Sequence, residues 1–455
     1  MGRLTNEPHI YSMGEHLFMS ILGRLRQRAH DGRPITALVV GAGQMGSGLA
    51  DQMARLVGLR LGAICDVVVE RAVAAAARAR VCAEIAGSEG EARRLFAEGR
   101  TVVTPLAEWL VGVPGIDVVV DATGSPEAST RLALLAIERR VPFVTMTVEA
   151  DVTVGPLLAR MARDAGSVYT VGAGDEPAVL FEMVEFARAI GFEVVCAGKG
   201  KNNRLDRAAT PETVAAEAAS RGMNARMLTS FVDGTKTMVE MTALANATGL
   251  RPDCPGMHGP RADLRDLLRM FVPATDGGVL RQRGAVDYAI GDVAPGVFLV
   301  VTSSSAPIRR DLAYLKMGDG PYYLLVRPYH LASLEVPLSV ARAALTGEAT
   351  MQAAGGPIAE CVAVAKRDLR AGGVIDGIGG ATVYATIDTA EHAAQSGAVP
   401  IGITAGARLR RDVPQGTELT AADVELDESL TIVRLRRRQE ALSREGGLPL
   451  AEGVA

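Results

Sequence analysis

Several short stretches of this sequence gather residues that could polarise a carbonyl or move a proton. Gly198-Lys199-Gly200-Lys201-Asn202-Asn203-Arg204 places three cations and two amides behind an apolar run, on what reads as a loop. Asp233, Lys236 and Glu240 fall within one segment that turns helical from Thr235, with Met238, Met241 and Leu244 as its apolar face. Gly172-Ala173-Gly174-Asp175-Glu176-Pro177 sets two adjacent acids ahead of an apolar helix. His258 sits in the turn-rich Pro255-Gly256-Met257-His258-Gly259-Pro260, and Arg327, Tyr329 and His330 follow a β-prone run.

Reducing a carbonyl needs a positive group at the developing alkoxide and a proton source. Lys199, Lys201 and Lys236 can meet the first need. Asp233, Glu240 and His258 complete the candidate catalytic set, and Arg327, Tyr329 and His330 could supply an anion clamp or proton donor. Asp175 and Glu176, with Asp233 and Glu240, could instead hold Mg2+ or Mn2+, which prefer oxygen ligands. Asn202, Asn203, Arg327, Tyr329 and His330 are the candidate substrate contacts; amides beside cations suit a phosphate or a polyol. Each feature also has a plainer reading. Asp175 could cap its helix, the 198–204 stretch could be a solvated loop, and His258 could be an ordinary hydrogen-bonded loop residue. Lys236 and Glu240 could be an i,i+4 ion pair, although a lysine opposes the dipole at a helix N-terminus.

A reaction of this kind needs a hydride carrier, and the N-terminal region offers a place for one. Gly41-Ala42-Gly43-Gln44-Met45-Gly46 fits GxGxxG between an apolar strand (35–40) and a helical stretch (44–57). Gly41 would permit the tight turn, Gly43 would let backbone approach a pyrophosphate, and Gly46 would let helix pack on strand. Asp66 follows the next strand (59–65), where an acid meets the adenosine ribose, and Arg71 is close enough to accept a ribose phosphate. Either NAD or NADP is therefore compatible. Thr123 and Gly124, within Asp121-Ala122-Thr123-Gly124-Ser125-Pro126, should lie across the crevice by the nicotinamide half, and Glu149 could face the same pocket.

The elements that position these residues follow from alternating texture. After the first βαβ unit come an alanine-rich helical stretch (71–85), a strand (116–120), a helix (126–139) and a strand (141–147). That order predicts an α/β fold with a parallel sheet covered on both faces. The expected organisation is an N-terminal Rossmann domain with a helical extension over 1–155, a central α+β catalytic domain over 156–352, and a C-terminal β-rich module with a charged tail over 353–455. The N-terminal extension reads as a helix over 10–28, and the tail from 435 as a frayed helix.

Bulk properties narrow the class. With 455 residues, 48% hydrophobic and 22% charged, the chain suits two or three globular domains. A net charge of −4 and only 4% aromatic residues offer nothing to a nucleic acid or an anionic membrane. Five scattered cysteines without CxxC spacing read as reduced cytoplasmic thiols. No apolar run reaches the length of a membrane span.

With these motifs in hand, the chain resembles homoserine-dehydrogenase-like oxidoreductases with a C-terminal SAF (β-clip) domain, and most closely the deoxyxylulose-phosphate reductoisomerase-like (DRL) group. The resemblance rests on GAGQMG (41–46), GDEP (174–177), GKGKNN (198–203), FVDGTKTMVEM (231–241), GMHGP (256–260), RPYHL (327–331) and AKRDL with DGIGG (365–380). The SAF likeness runs over about 357–429, through RDVPQGTELTAADV (411–424). The likeness to the DRL group implies conversion of 1-deoxy-D-xylulose 5-phosphate with NADPH and a divalent metal, an early isoprenoid step, in a homodimeric enzyme. The lysine–asparagine stretch would hold the phosphate, the carboxylates the metal, and the SAF module would close over the substrate or build a dimer contact. A homoserine- or polyol-type dehydrogenase without rearrangement is the second reading, although the catalytic aspartate–lysine segment of homoserine dehydrogenase has no convincing counterpart here. The third is a non-catalytic NAD(P)-binding sensor.

Overall fold

The computed structural model describes residues 20–448. The described part of the N-terminal extension is helical, α1 (Ile21–His30); residues 10–19 of the expected helix lie outside the described residues. The chain then alternates β1 (Ile35–Val40), α2 (Gln44–Arg55), β2 (Leu59–Cys65), α3 (Val69–Arg78), β3 (Ala83–Ile85), α4 (Glu89–Ala97), β4 (Thr101–Thr104), β5 (Val118–Asp121), α5 (Pro126–Glu138), β6 (Phe143–Thr145), α6 (Val148–Asp164) and β7 (Tyr169–Val171). The strands form one seven-stranded sheet in the order β3-β4-β2-β1-β5-β6-β7, parallel throughout. This is a Rossmann-like α/β sheet. Strand β1 is buried along its whole length, as a strand covered on both faces must be.

Two details depart from the sequence expectation. The alanine-rich helix stops at Arg78, because Arg80 turns to positive φ and the chain enters edge strand β3 at Ala83. The sheet also continues past residue 155, which falls inside α6, to β7.

The second unit contains α7 (Glu176–Ala189), β8 (Glu193–Lys201), α8 (Ala215–Ser220), α9 (Ala225–Val232), α10 (Thr235–Thr248), β9 (Arg251–Pro252), α11 (Leu267–Met270), β10 (Ala285–Ile290), β11 (Val297–Thr302), α12 (Ala306–Tyr314), β12 (Tyr322–Arg327) and α13 (Val336–Thr346). Its five strands run β12-β11-β8-β10-β9, parallel from β8 to β9 and antiparallel on the β11 side. Helices α7 and α10 pack on one face, and an aromatic cluster with Phe271 and Phe298 fills the other. Helix α13 returns to the first sheet and buries Val336, Val340 and Ala341 in its core.

The last unit pairs β13 (Ala359–Ala365) with β14 (Val383–Thr389), followed by α14 (Ala390–Ser396), β15 (Arg408–Leu409), β16 (Val424–Glu425) and α15 (Thr431–Arg444). Helix α10 links this unit to the second. Thr235 Oγ1 accepts from Ala385 N at 2.9 Å, and Asn246 Oδ1 accepts from Ile358 N at 2.7 Å.

Over the described residues the tail is a docked helix, α15, rather than a frayed one; residues 449–455 lie outside them. Its first amides donate to the Glu127 carboxylate of α5 at 2.9 and 3.1 Å, an acid where a helix dipole favours one. Pro156 interrupts the α6 ladder, and α15 fills the gap. Gln439 accepts from Leu157 N at 3.1 Å, while Arg436 donates to Thr153 O at 3.1 Å and pairs with buried Glu360 at 2.6 Å. Among the described residues no helix is long and apolar enough to cross a membrane. All five cysteines are free.

Candidate active site

The glycine loop after β1 is built as its spacing requires. Gly41 has φ +95°, and a Cβ there would lie 2.4 Å from Ala122 O. A Cβ on Gly46 would lie 1.8 Å from Gly41 O, so only glycine lets α2 start this close to the strand. At Gly43 the same test meets nothing within 4 Å: the position opens into a cleft. Gly43 caps α2 with no side-chain partner for the first amides, and the first turn carries no acid. Free N–H groups and the positive end of the dipole therefore face the cleft, a cradle suited to a pyrophosphate. It lies where the sheet order reverses between β2 and β5 on either side of β1, the usual ligand crevice of such sheets.

Asp66 accepts from Ala42 N at 2.8 Å and from Val68 N at 2.9 Å, so its carboxylate braces the loop. Gln44, Met45, Arg71, Thr123 and Gly124 line the cleft, and Asp66 stands behind it. Across the crevice Asp121 is fully buried. It accepts from Thr123 N and Oγ1 at 3.0 and 2.7 Å and from Thr145 Oγ1 at 2.9 Å, which sets the strand-end turn.

The cleft encloses about 1010 Å³ and reaches from Gly43 to a charged cluster on β8, α7 and α10. Lys199 and Lys201 alternate with Gly198 and Gly200 along β8, so the stretch read as a loop is the strand itself as far as Lys201. Residues i and i+2 share a face, and both lysines face the cleft. The glycines serve the crowded face: a Cβ on Gly198 would lie 2.4 Å from the Phe298 ring, and one on Gly200 2.2 Å from Ala294 N.

Lys199 pairs with Glu176 at 2.7 Å and hydrogen-bonds Glu240. Lys236 lies 3.4 Å from Glu149 and 3.9 Å from both Asp175 and Glu240. The i,i+4 pair expected from spacing is thus present, within a larger network. Asp175 occupies the cap position of α7 without capping it; its carboxylate turns to Lys236. His330 lies 3.5 Å from Glu176 and hydrogen-bonds Pro295 O at 2.9 Å.

Burial and like charge separate the titrations here. Burial, with Glu176 beside it, pushes Glu240 up to about 8. Burial raises Asp175 to about 6 against the pull of Lys236. Burial acts the same way on Glu176, but Lys199 and His330 outweigh it and hold that carboxyl below the usual range. Burial, reinforced by Lys199, brings Lys201 down to about 8. Lys199 and Lys236 are held above the ordinary lysine value, because their carboxylate partners outweigh desolvation.

Four residues anticipated from the sequence do not join this cluster. Asp233 is wholly buried against Lys366 at 2.8 Å, and that lysine also donates to Ala209 O and Gly380 O at 2.7 Å. Asp233 therefore ties the last unit to the start of α10, where its Oδ1 accepts from Thr235 N at 2.8 Å. His258 hydrogen-bonds Asp287 at 2.9 Å, which raises its pKa. Asp287 pairs with Gly198, one position from the Lys199–Tyr288 pair, and so points to the other face of the sheet. Arg327 pairs with Glu335 at 2.6 Å and lies over the Tyr329 ring, and neither lines the cleft. Asn202 and Asn203 do line it, with Arg221 donating to Asn203 at 3.4 Å.

Sequence reasoning missed Arg221 and Arg226, which give the cleft a cationic outer wall. It also missed the loop of Asp376 and Ile378, whose carbonyls accept from Arg226 Nη2. The DGIGG glycines were the available signal: a Cβ on Gly379 would lie 2.1 Å from Arg226 O.

Asp175, Glu176 and Glu240 each offer a carboxylate oxygen, all within 4.8 Å of one another. That donor set fits a hard divalent cation, and Lys199 and Lys236 pair with the same carboxylates.

Comparison with known proteins agrees with this chemistry over part of the chain. Residues 174–336 match the family model for the catalytic domain of oxidoreductase DRL. No curated protein matches. Among solved structures, a probable dehydrogenase from Thermotoga maritima is similar at 13% identity and TM-score 0.41, over 69% of this chain and 90% of its own. A myo-inositol dehydrogenase from Corynebacterium glutamicum is similar at 13% and 0.38, over 69% and 89%. One from Lactobacillus casei, solved with NAD(H) and myo-inositol, is similar at 16% and 0.31, over 66% and 68%. Likeness this distant carries no functional argument. The matched segment holds Asp175, Glu176, Lys199, Lys201, Lys236 and Glu240, and the chain is an oxidoreductase.

Proposed function

We propose that the protein is an NAD(P)-dependent oxidoreductase acting on a small, polar, phosphorylated carbonyl compound. One observation carries this reading: a single cleft joins the uncapped N-terminus of α2 to the lysine–carboxylate cluster. The coenzyme, when bound, supplies or accepts a hydride at its nicotinamide. The α2 amides hold its pyrophosphate, Asp66 braces the glycine loop that presents them, and Arg71 at the cleft wall can take a ribose phosphate.

Lys199 presents positive charge to the oxygen that becomes an alkoxide, fixed between Glu176 and Glu240 so that little reorganisation is needed. Lys201, with its pKa brought close to neutral, moves the proton. Lys236 holds the surrounding carboxylates apart. Asn202, Asn203 and Arg221 receive the phosphate. The C-terminal unit acts as an SAF-type wall of the cleft, contributing Asp376, Ile378 and Ile401.

A second reading, a reductoisomerase of the deoxyxylulose-phosphate type, is favoured by the three converging carboxylate oxygens. Asp175, Glu176 and Glu240 would hold Mg2+ or Mn2+, which would polarise the substrate oxygens. A homoserine- or polyol-type dehydrogenase without rearrangement needs no such ion.

The test is NADH and NADPH oxidation with 1-deoxy-D-xylulose 5-phosphate, other phosphorylated sugars and semialdehydes, with Mn2+ or with chelator. Turnover of a phosphorylated carbonyl is expected. Loss of turnover in chelator selects the second reading. Failure to bind either coenzyme overturns both.

A further inference from the structure

A second cavity lies at the other end of the catalytic sheet. It encloses about 540 Å³, within the range of small-molecule sites. Its wall includes Arg188, Arg251 and Arg283, with Phe192 and Leu250 as apolar surface and Asn246 between them. Both β8 and α10 run from this cavity to the cleft. Lys236 and Asn246 are ten residues apart on α10, about 15 Å at the helical rise.

Three guanidinium groups here face one lining carboxylate, Glu193. Arg283 takes that carboxylate at 2.9 Å, and Arg188 donates to Thr248 O at 2.8 Å. The Arg251 side chain has no hydrogen bond or ion pair among the described residues. Asn246 is buried, and its Oδ1 is taken by Ile358 N and Ala359 N, while its Nδ2 has no partner. A buried donor left unmade is costly, and Asn246 is one of the residues that line the cavity. Excess positive charge, an unpaired buried donor and an apolar wall form a complementary surface for one kind of molecule.

We propose that this cavity is a second ligand site, separate from the cleft, that takes a small organic anion with an apolar body. The anionic group meets Arg251 and Arg188, an acceptor meets Asn246 Nδ2, and the body packs on Phe192 and Leu250.

Phenyl phosphate is the probe, with inorganic phosphate as the anion lacking a body, titrated calorimetrically into the full chain. Phenyl phosphate should bind more tightly than phosphate. Arg188→Gln/Arg251→Gln should weaken it at least tenfold without changing coenzyme affinity. Asn246→Asp keeps the Oδ1 contacts, replaces the donor with a negative oxygen and should also weaken binding. Arg221→Gln, in the cleft, should leave it intact. Equal affinity in the double arginine variant, loss in Arg221→Gln instead, or no binding below about 10 mM would each overturn the proposal.

Discussion

Lys199 on β8 and Glu176 at the first position of α7 meet at 2.7 Å, joining the second sheet to the helix that follows the Rossmann sheet. Both side chains are largely withdrawn from water, and Glu240 completes the contact from α10. Removing the cation leaves Glu176 and Glu240 facing each other in a low-dielectric site. Lys199→Met should therefore lower kcat by roughly 100-fold or more, the scale seen for losing an electrostatic contact to a developing oxyanion. It should also destabilise the fold by roughly 3–5 kcal/mol. Lys199→Met/Glu176→Gln should recover stability but not kcat, read by thermal unfolding and steady-state rates.

The pH profile tests Lys201. Burial and neighbouring Lys199 bring its ammonium down to about 8. An acid that gives its proton to an alkoxide works only while protonated, so kcat/KM for reduction should fall as pH rises through about 8. Lys201→Arg keeps the charge but holds its proton far above that range, so the alkaline limb should move up. A limb that stays near 8 would assign it to Glu240.

Two glycines separate binding from folding. Gly43→Ala adds a methyl group into open cleft, so Tm should stay within about 2 °C while coenzyme Kd rises about tenfold, equivalent to about 1.4 kcal/mol. Gly46→Ala drives a methyl group into Gly41 O and should lower both Tm and coenzyme affinity. Differential scanning fluorimetry with coenzyme titration reads both.

Asp233 should behave as a structural residue. Lys366→Met leaves a wholly buried carboxylate without its partner, and roughly 3–5 kcal/mol of stability should go with it. Lys366→Met/Asp233→Leu should restore much of that loss. At a temperature where the double variant is folded, its kcat should stay within a few-fold of the parent, measured by chemical denaturation and initial rates.

The sequence was enough for the Rossmann sheet and its loop. Parallel strands buried on both faces leave continuous apolar runs, and the glycine positions follow from local backbone geometry. It also contained the candidate reactive segment, because lysines and acids are hard to bury without a partner. Which of them meet was decided elsewhere. Glu240 and Asp233 stand in one short motif, yet Glu240 faces Lys199 while Asp233 is claimed by Lys366 from the last unit. The lysine strand looked like a loop because its glycines answer to Phe298 and Ala294 on neighbouring segments. His258 looked reactive but was turned to the far face by its bond to Asp287 on β10. Local spacing fixes periodicity and turns; partner choice for a buried charge depends on which distant residue the tertiary fold brings within about 4 Å, and no local pattern encodes that.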